Sequence, residues 1–249
     1  MSTLKDKIAV VTGAGSGIGK AIALLYAKEG ATVVVSDIND AHGNSVVEEI
    51  NAAGGQARYI RANTAVPEEV EQLVAETAKQ YGRLDILCNN AGIGGEHNLG
   101  ADMSIVGWQK VIDINLNGVF YGCKYAAAQM LKNGGGAIVN VGSIHSITGV
   151  PGSAAYAASK HGVLGLTRNF GVEYAAQNIR VNAIGPGYID TPLLNQIDPE
   201  QKKLLVDKHP IGRLGTAEEV AQLVLFLSQD TTTFINGSYF NVDGGYTAL

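Results

Sequence analysis

Cysteine is nearly absent from this chain: Cys88 and Cys123 are the only two in 249 residues. They stand in apolar stretches without metal-ligand spacing. That excludes a zinc framework or a disulfide-built scaffold and suits two buried free thiols in a reducing compartment. Basic runs are missing as well. Lys and Arg number 18 against 23 Asp and Glu, a formal net charge of -5, and no stretch gathers the positive charge a nucleic-acid groove needs. No run approaches the ~18 apolar residues of a membrane span. The first residues, MSTLKDKI, lack the apolar centre of a signal peptide. The six prolines do not cluster into a linker, and no tract is repetitive. These absences leave a soluble, cytoplasmic protein without nucleic-acid, membrane or metal chemistry. Residues 1–249 are expected to form a single domain, long enough to bury a substantial core.

What is present is alternation. Short apolar runs at 7–12, 32–36, 57–61, 84–88, 137–141, 179–184 and 239–242 read as strands buried on both faces. Helical patterns at 18–29, 41–53, 67–81 and 154–176, a long stretch within 104–131, and one at 216–228 separate them. Gly30, Gly54-Gly55 and Gly82 stop the first three helices, and Pro67 opens the third. The order predicts an α/β fold: a doubly wound parallel sheet of about seven strands, with helices on both faces. Such sheets bind ligands beyond the carboxyl ends of their strands.

Two of those loops carry chemistry. The first, Thr12-Gly-Ala-Gly-Ser-Gly-Ile-Gly19, joins strand to helix. Glycines allow a tight turn and close approach to a pyrophosphate, and the helix offers free N–H groups and its positive dipole end. The alternative is a tight turn with no ligand. Asp37 ends the second strand, where an acid hydrogen-bonds ribose hydroxyls and repels the extra phosphate of NADP; alternatively it opens a turn or caps the next helix. NAD(H) is therefore expected in preference to NADP(H). Further on, Tyr156-Ala-Ala-Ser-Lys160 puts a phenol and an ammonium one helical turn apart on one face. A neighbouring ammonium is expected to lower the tyrosine pKa toward the range of general acid-base catalysis. The plain alternative is a surface lysine beside a buried tyrosine.

Together these segments resemble the short-chain dehydrogenase/reductase family over essentially the whole chain, and within it the NADH-dependent carbonyl reductases and secondary alcohol dehydrogenases. The resemblance extends to Asn89-Asn-Ala-Gly92, to Asn115, to Ser143 thirteen residues before Tyr156, to Pro186-Gly-Tyr-Ile-Asp-Thr191 and to Val242-Asp-Gly-Gly245. It implies a Rossmann-like fold and reversible hydride transfer between NAD(H) and a ketone or secondary alcohol, with Tyr156 as acid or base. Lys160 would tune Tyr156, Ser143 would polarise the carbonyl, and Asn115 would hold a relay water at a helix irregularity. Cofactor contacts implied are Gly13, Ser16, Gly17, Ile18, Gly19, Asp37, Ile38, Asn63, Thr64, Asn90, Ala91, Gly92, Tyr156, Lys160, Pro186, Gly187, Ile189 and Thr191. At Asn63 the family often has aspartate, so the side-chain carbonyl of Asn63 is expected to take over its contact with the adenine amine. A homotetramer is implied, built on the helices near 104–131 and 154–176 and on the tail 242–249.

Substrate contacts are expected from Ser143, His145, Tyr156, Tyr188 and Leu205, in loops read as holding no basic residue for a phosphate or carboxylate. His145 either bonds a polar substrate or narrows the entrance. Residues 188–210 read as a mobile lid, with Leu193, Leu194, Leu204 and Leu205 facing an apolar ligand or else packing inward on the core. The expected substrate is a neutral, fairly apolar ketone or secondary alcohol. A 3-oxoacyl-carrier-protein reductase and a sugar, diol or hydroxysteroid dehydrogenase are the rival enzymes. A nucleotide-binding regulatory protein on the same scaffold is the rival outside catalysis.

Overall fold

A computed structural model describes residues 3–191 and 198–249. Seven strands form one sheet: β1 (Ile8–Thr12), β2 (Thr32–Asp37), β3 (Gln56–Arg61), β4 (Ile86–Asn89), β5 (Gly136–Val141), β6 (Ile179–Pro186) and β7 (Tyr239–Val242). Their spatial order is β3-β2-β1-β4-β5-β6-β7, and every neighbouring pair is parallel. The chain runs outward from β1 to β3, returns across the sheet, and continues from β4 to β7 on the other side. Neighbouring loops therefore diverge between β1 and β4, which opens a crevice at their carboxyl ends.

Among the described residues there are eight α-helices, most of them packed on the sheet: α1 (Gly17–Lys28), α2 (Asp40–Ala52), α3 (Pro67–Tyr81), α4 (Ile105–Ile112), α5 (Gly118–Asn133), α6 (Ala154–Tyr174), α7 (Pro199–Asp207) and α8 (Ala217–Ser228). Successive strand residues point to opposite faces. Ala9, Val11, Val33 and Val35 pack toward α1, α2 and α8, with Ile22, Tyr26, Val46 and Val224. Val10, Val34 and Leu87 pack toward α3, α5 and α6, with Leu73, Ala126 and Val163. Burial on both faces explains why these strands read as unbroken apolar runs.

One sequence expectation changes and another becomes specific. The strand expected at 84–88 begins at Ile86, because Asp85 is occupied before it: its carboxylate accepts from the Ile8 amide (2.8 Å) and the Arg83 guanidinium. Within the long helical stretch expected at 104–131, the irregularity that the resemblance implied at Asn115 is a π-helical turn, Asp113–Asn117, joining two α-helices. The wider turn carries Asn115. Gly118 follows it because a Cβ there would lie 2.8 Å from the Thr64 carbonyl oxygen.

Candidate active site

At the end of β1 the chain turns through Gly13 and Gly17, at φ 61° and 53°, a region costly for other residues. Gly19 is needed for a different reason. A Cβ there would run into the Gly13 carbonyl and the Asn90 amide. The Asn90 side chain, from the loop after β4, donates to the carbonyls of Thr12 (2.9 Å) and Gly13 (3.1 Å). The Thr12 hydroxyl accepts from the amides of Asn90 and Ala91. The loops flanking the crevice are thus bonded into one unit. Thr191 closes on it from the far side, its Cγ2 3.6 Å from where a Gly17 Cβ would stand.

The Asp37 carboxylate accepts from the Gly15 amide and the Asn39 amide, each at 2.9 Å. It therefore does open the turn into α2, and it also braces the glycine loop. Half-buried at the crevice rim, it keeps further lone pairs for a ligand. Ile38 and Ser16 beside it are exposed, and Ile18 is half-buried. The Asn63 carbonyl accepts from the Ala65 amide (3.1 Å), which leaves one lone pair and the NH2 group for any ligand. Thr64 is buried against the start of α5.

The groups present suit a dinucleotide. Ser16 makes no side-chain capping bond and the first turn of α1 holds no acid, as at the start of α6, whereas α2, α7 and α8 are each capped by a side chain. The free N–H groups of α1 are left for an anion. One residue before Asp37, the Ser36 hydroxyl is buried without a partner.

On α6, Tyr156 and Lys160 share a face, the Lys160 Nζ 5.6 Å from the Tyr156 ring centre. The expected tuning is not what the structure shows. The Lys160 ammonium, 4% exposed, donates to the Val141 carbonyl at 2.7 Å, and burial pulls its own pKa down to about 8. Burial also raises the Tyr156 pKa, and the group opposing that rise is Ser143. Burial, the larger of these two influences, leaves the phenol protonated through neutral pH. Ser143 is set by the turn after β5: its hydroxyl accepts from the His145 amide and its amide donates to Ser146. Asn115 is fully buried. Its side chain donates to the Ile93 carbonyl (2.8 Å) and accepts from the Ile93 amide (2.9 Å), and a Gly92 Cβ would stand 3.3 Å from its Oδ1 and 3.7 Å from Lys160 Nζ. A buried chain of bonds, Asn89 to Asn140 to Thr167, ties β4 and β5 to α6.

Above Ser143 lies an aromatic wall. The His145 ring stands 6.3 Å from Tyr156, 6.1 Å from Tyr188 and 6.5 Å from Tyr246. His145 Nδ1 contacts the Thr148 hydroxyl and Nε2 the Tyr188 hydroxyl. Desolvation, with the charge of Lys208 behind it, holds its pKa down to about 4, so the imidazole is neutral. Tyr246 and His209 were not among the expected contacts. They lie far along the chain from the motifs, and no spacing points to them. Leu204 is exposed and Leu205 half-buried on α7, where no residue is buried, so these two do not pack on the core. Leu193 and Leu194 lie outside the described residues. The expected lid region, 188–210, does bring basic residues: Lys202 pairs with Asp190 at 2.7 Å, and Lys203 and Lys208 are exposed. Pro186 and Ile189 are buried, Gly187 is half-buried and Gly92 is exposed.

A cleft of about 630 Å³ opens at the other end of the sheet, lined by Lys7, Arg83, Asp85, Arg180 and Asp230. Its charges are already matched: Lys7 to Asp230, Arg83 to Asp85, and Arg180 to the Leu227 and Gln229 carbonyls. The chemistry belongs at the crevice.

Fold and crevice define an oxidoreductase on a doubly wound parallel sheet. The chain belongs to the short-chain dehydrogenase/reductase family: residues 13–247 match a model of that family described as enoyl-(acyl carrier protein) reductase. It is 49% identical to cyclohexanol dehydrogenase of Acinetobacter sp. (strain SE19), over 98% of this chain and 96% of that one. It is 40% identical to the 3-oxoacyl-[acyl-carrier-protein] reductase FabG of Thermotoga maritima, over 97% and 98%. The crystal structure of gox2181 superimposes with a TM-score of 0.95 at 35% identity, covering 99% of this chain and 97% of that one.

Proposed function

We propose that this chain interconverts a neutral six-membered-ring ketone and its secondary alcohol with NAD(H), as a cytoplasmic homotetramer. The observation that carries the reading is the meeting of Ser143, Tyr156 and Lys160 under an uncharged aromatic wall of His145, Tyr188 and Tyr246. The likeness to a cyclohexanol dehydrogenase supports the ring. Asp37, at the rim where a 2′-phosphate would have to sit, supports NAD(H) over NADP(H).

The cofactor, when bound, supplies or accepts the hydride. The chain's residues do the rest. Gly13, Ser16, Gly17, Ile18 and Gly19 would hold the pyrophosphate; Asp37, Ile38, Asn63 and Thr64 the adenosine; and Asn90, Ala91, Gly92, Pro186, Gly187, Ile189 and Thr191 the nicotinamide end. Ser143 donates to the substrate oxygen and stabilises its developing charge. Tyr156, a protonated phenol at neutral pH, gives that oxygen its proton in reduction and takes it back in oxidation. Lys160, held by Val141 beside the Tyr156 ring, would hydrogen-bond the nicotinamide ribose.

The test is one assay series. Initial rates are measured on cyclohexanone, on a linear 3-oxoacyl thioester and on a sugar ketone, with NADH and with NADPH, for the wild type and Tyr156→Phe. Cyclohexanone with NADH is expected to be preferred, and the phenylalanine variant to lose a factor on the order of 10²–10⁴ in turnover while still binding NADH. Preference for the thioester with NADPH would replace this reading with the carrier-protein one, and near-normal turnover by Tyr156→Phe would remove the tyrosine from the mechanism.

A further inference from the structure

His209 is 3% exposed and both its ring nitrogens are engaged. Nδ1 meets the Leu205 carbonyl at 2.7 Å. Nε2 accepts from the Tyr188 backbone amide at 3.2 Å. An amide can only donate, and a carbonyl can only accept, so the proton sits on Nδ1 and the lone pair on Nε2. Both bonds coexist on one tautomer of the neutral ring alone. The first bond ends at the last turn of α7. The second ends in the loop after β6 that carries Tyr188 and, just beyond, Ile189 and Thr191.

The imidazole also stands 5.8 Å from the Tyr188 ring and 5.3 Å from the Tyr246 ring. Those two rings reach His145, and His145 reaches Tyr156. Gly187 makes the approach possible, because a Cβ there would lie 2.8 Å from His209 Nε2. Packing alone does not hold the ring, since a cavity of about 100 Å³ adjoins it, bounded by Ile189, Arg213 and Val242.

We propose that His209 is a positioning residue: its two hydrogen bonds pin the lid helix to the Tyr188 loop and so set the width of the substrate pocket. It touches neither substrate nor cofactor and acts through Tyr188 and Tyr246. A wall that is misplaced weakens binding of ground and transition states alike, so the loss belongs in KM and not in kcat. The kinetic arm of this inference rests on the ring-ketone reading above.

Two variants separate the bonds. His209→Asn carries an amide NH2 where Nδ1 stands, keeping the Leu205 bond, but is too short to reach Tyr188. His209→Gln extends an amide oxygen to the Nε2 position. In the asparagine variant the KM for cyclohexanone is expected to rise about five- to tenfold, the scale of one lost neutral hydrogen bond, with kcat nearly unchanged. Hydrogen–deuterium exchange, read by mass spectrometry on peptides covering residues 186–191, is expected to quicken. The glutamine variant, which regains the Tyr188 bond but gives up the Leu205 one, should fall between the asparagine variant and the wild type in both. Exchange that stays slow in His209→Asn, an unchanged KM despite faster exchange, or a glutamine variant as impaired as the asparagine one would each overturn the proposal. If the wild type does not reduce cyclohexanone, the ring-ketone reading fails, and the exchange experiment still decides the pin.

Discussion

A buried ammonium is a liability to the fold, and Lys160 is one. Its pKa lies near 8 instead of 10.5, through desolvation. The folded state therefore binds its proton more weakly than the unfolded state does, and below about pH 8 the full penalty is present. As pH rises from about 8 toward 10.5 the folded protein sheds the proton first, and stability from this group increases. A shift of this size corresponds to roughly 3 kcal/mol, at the upper end of the ~1.5–3 kcal/mol of a hydrogen bond from a charged group such as the one to Val141 that a replacement would lose. Lys160→Met is expected to be inactive yet to melt higher than the wild type at pH 7, the gap closing toward pH 10.5; calorimetry across that range checks it. A lower melting point at pH 7 would mean the ammonium stabilises the fold. The spacing of Tyr156 and Lys160 placed both residues correctly on one face, because helical geometry is local. Their pKa values were not legible, since desolvation depends on which distant strands and loops close over them. The same holds for Tyr246 and His209, whose neighbours come from β6, α7 and the chain's end.

Among elements, the glycine turn and α1 follow from local rules, and β1, β2 and α3 lie within two residues of their expected limits. The break between α4 and α5 does not. No proline or capping residue marks it; the π-helical turn is held by tertiary bonds from Asn115 to Ile93 and by the approach of Gly118 to Thr64. The glycine turn offers the sharper test. Gly19 lies inside α1, where alanine would normally be the better helix former by up to ~1 kcal/mol. Here a Cβ collides with the Gly13 carbonyl and the Asn90 side chain, so overpacking, worth about 1–3 kcal/mol, wins. Gly19→Ala is expected to lower the denaturant midpoint and to weaken NADH binding by more than tenfold, because the two crevice loops can no longer stay bonded. A variant that binds NADH normally would show that the turn adjusts without loss.

At the scale of the whole molecule, the outer faces of α5 and α6 carry apolar side chains that a lone subunit leaves in water. Val172 is 80% exposed, Leu131 44% and Phe120 39%; the tail ends in Leu249 at 95%. Scattered surface apolar groups need no explanation, but these fall on the two longest helices and on the tail, the segments the proposed tetramer uses. Closed two-fold pairing of such faces repeats one patch on both partners, so a single charge enters each contact twice. Light scattering is expected to give about four times the 26.0 kDa of one chain. Val172→Glu is expected to reduce that mass, because it buries two carboxylates against an apolar face with no partner. Its effect should reach the crevice, since α6 carries Tyr156 and Lys160 on one side and Val172 on the other: turnover should fall with dissociation and recover at high protein concentration. A wild-type mass of one chain would remove the tetramer. A Val172→Glu protein that stays tetrameric would move the contact off this face of α6 and leave the exposed Phe234 and Leu249 surfaces to carry it.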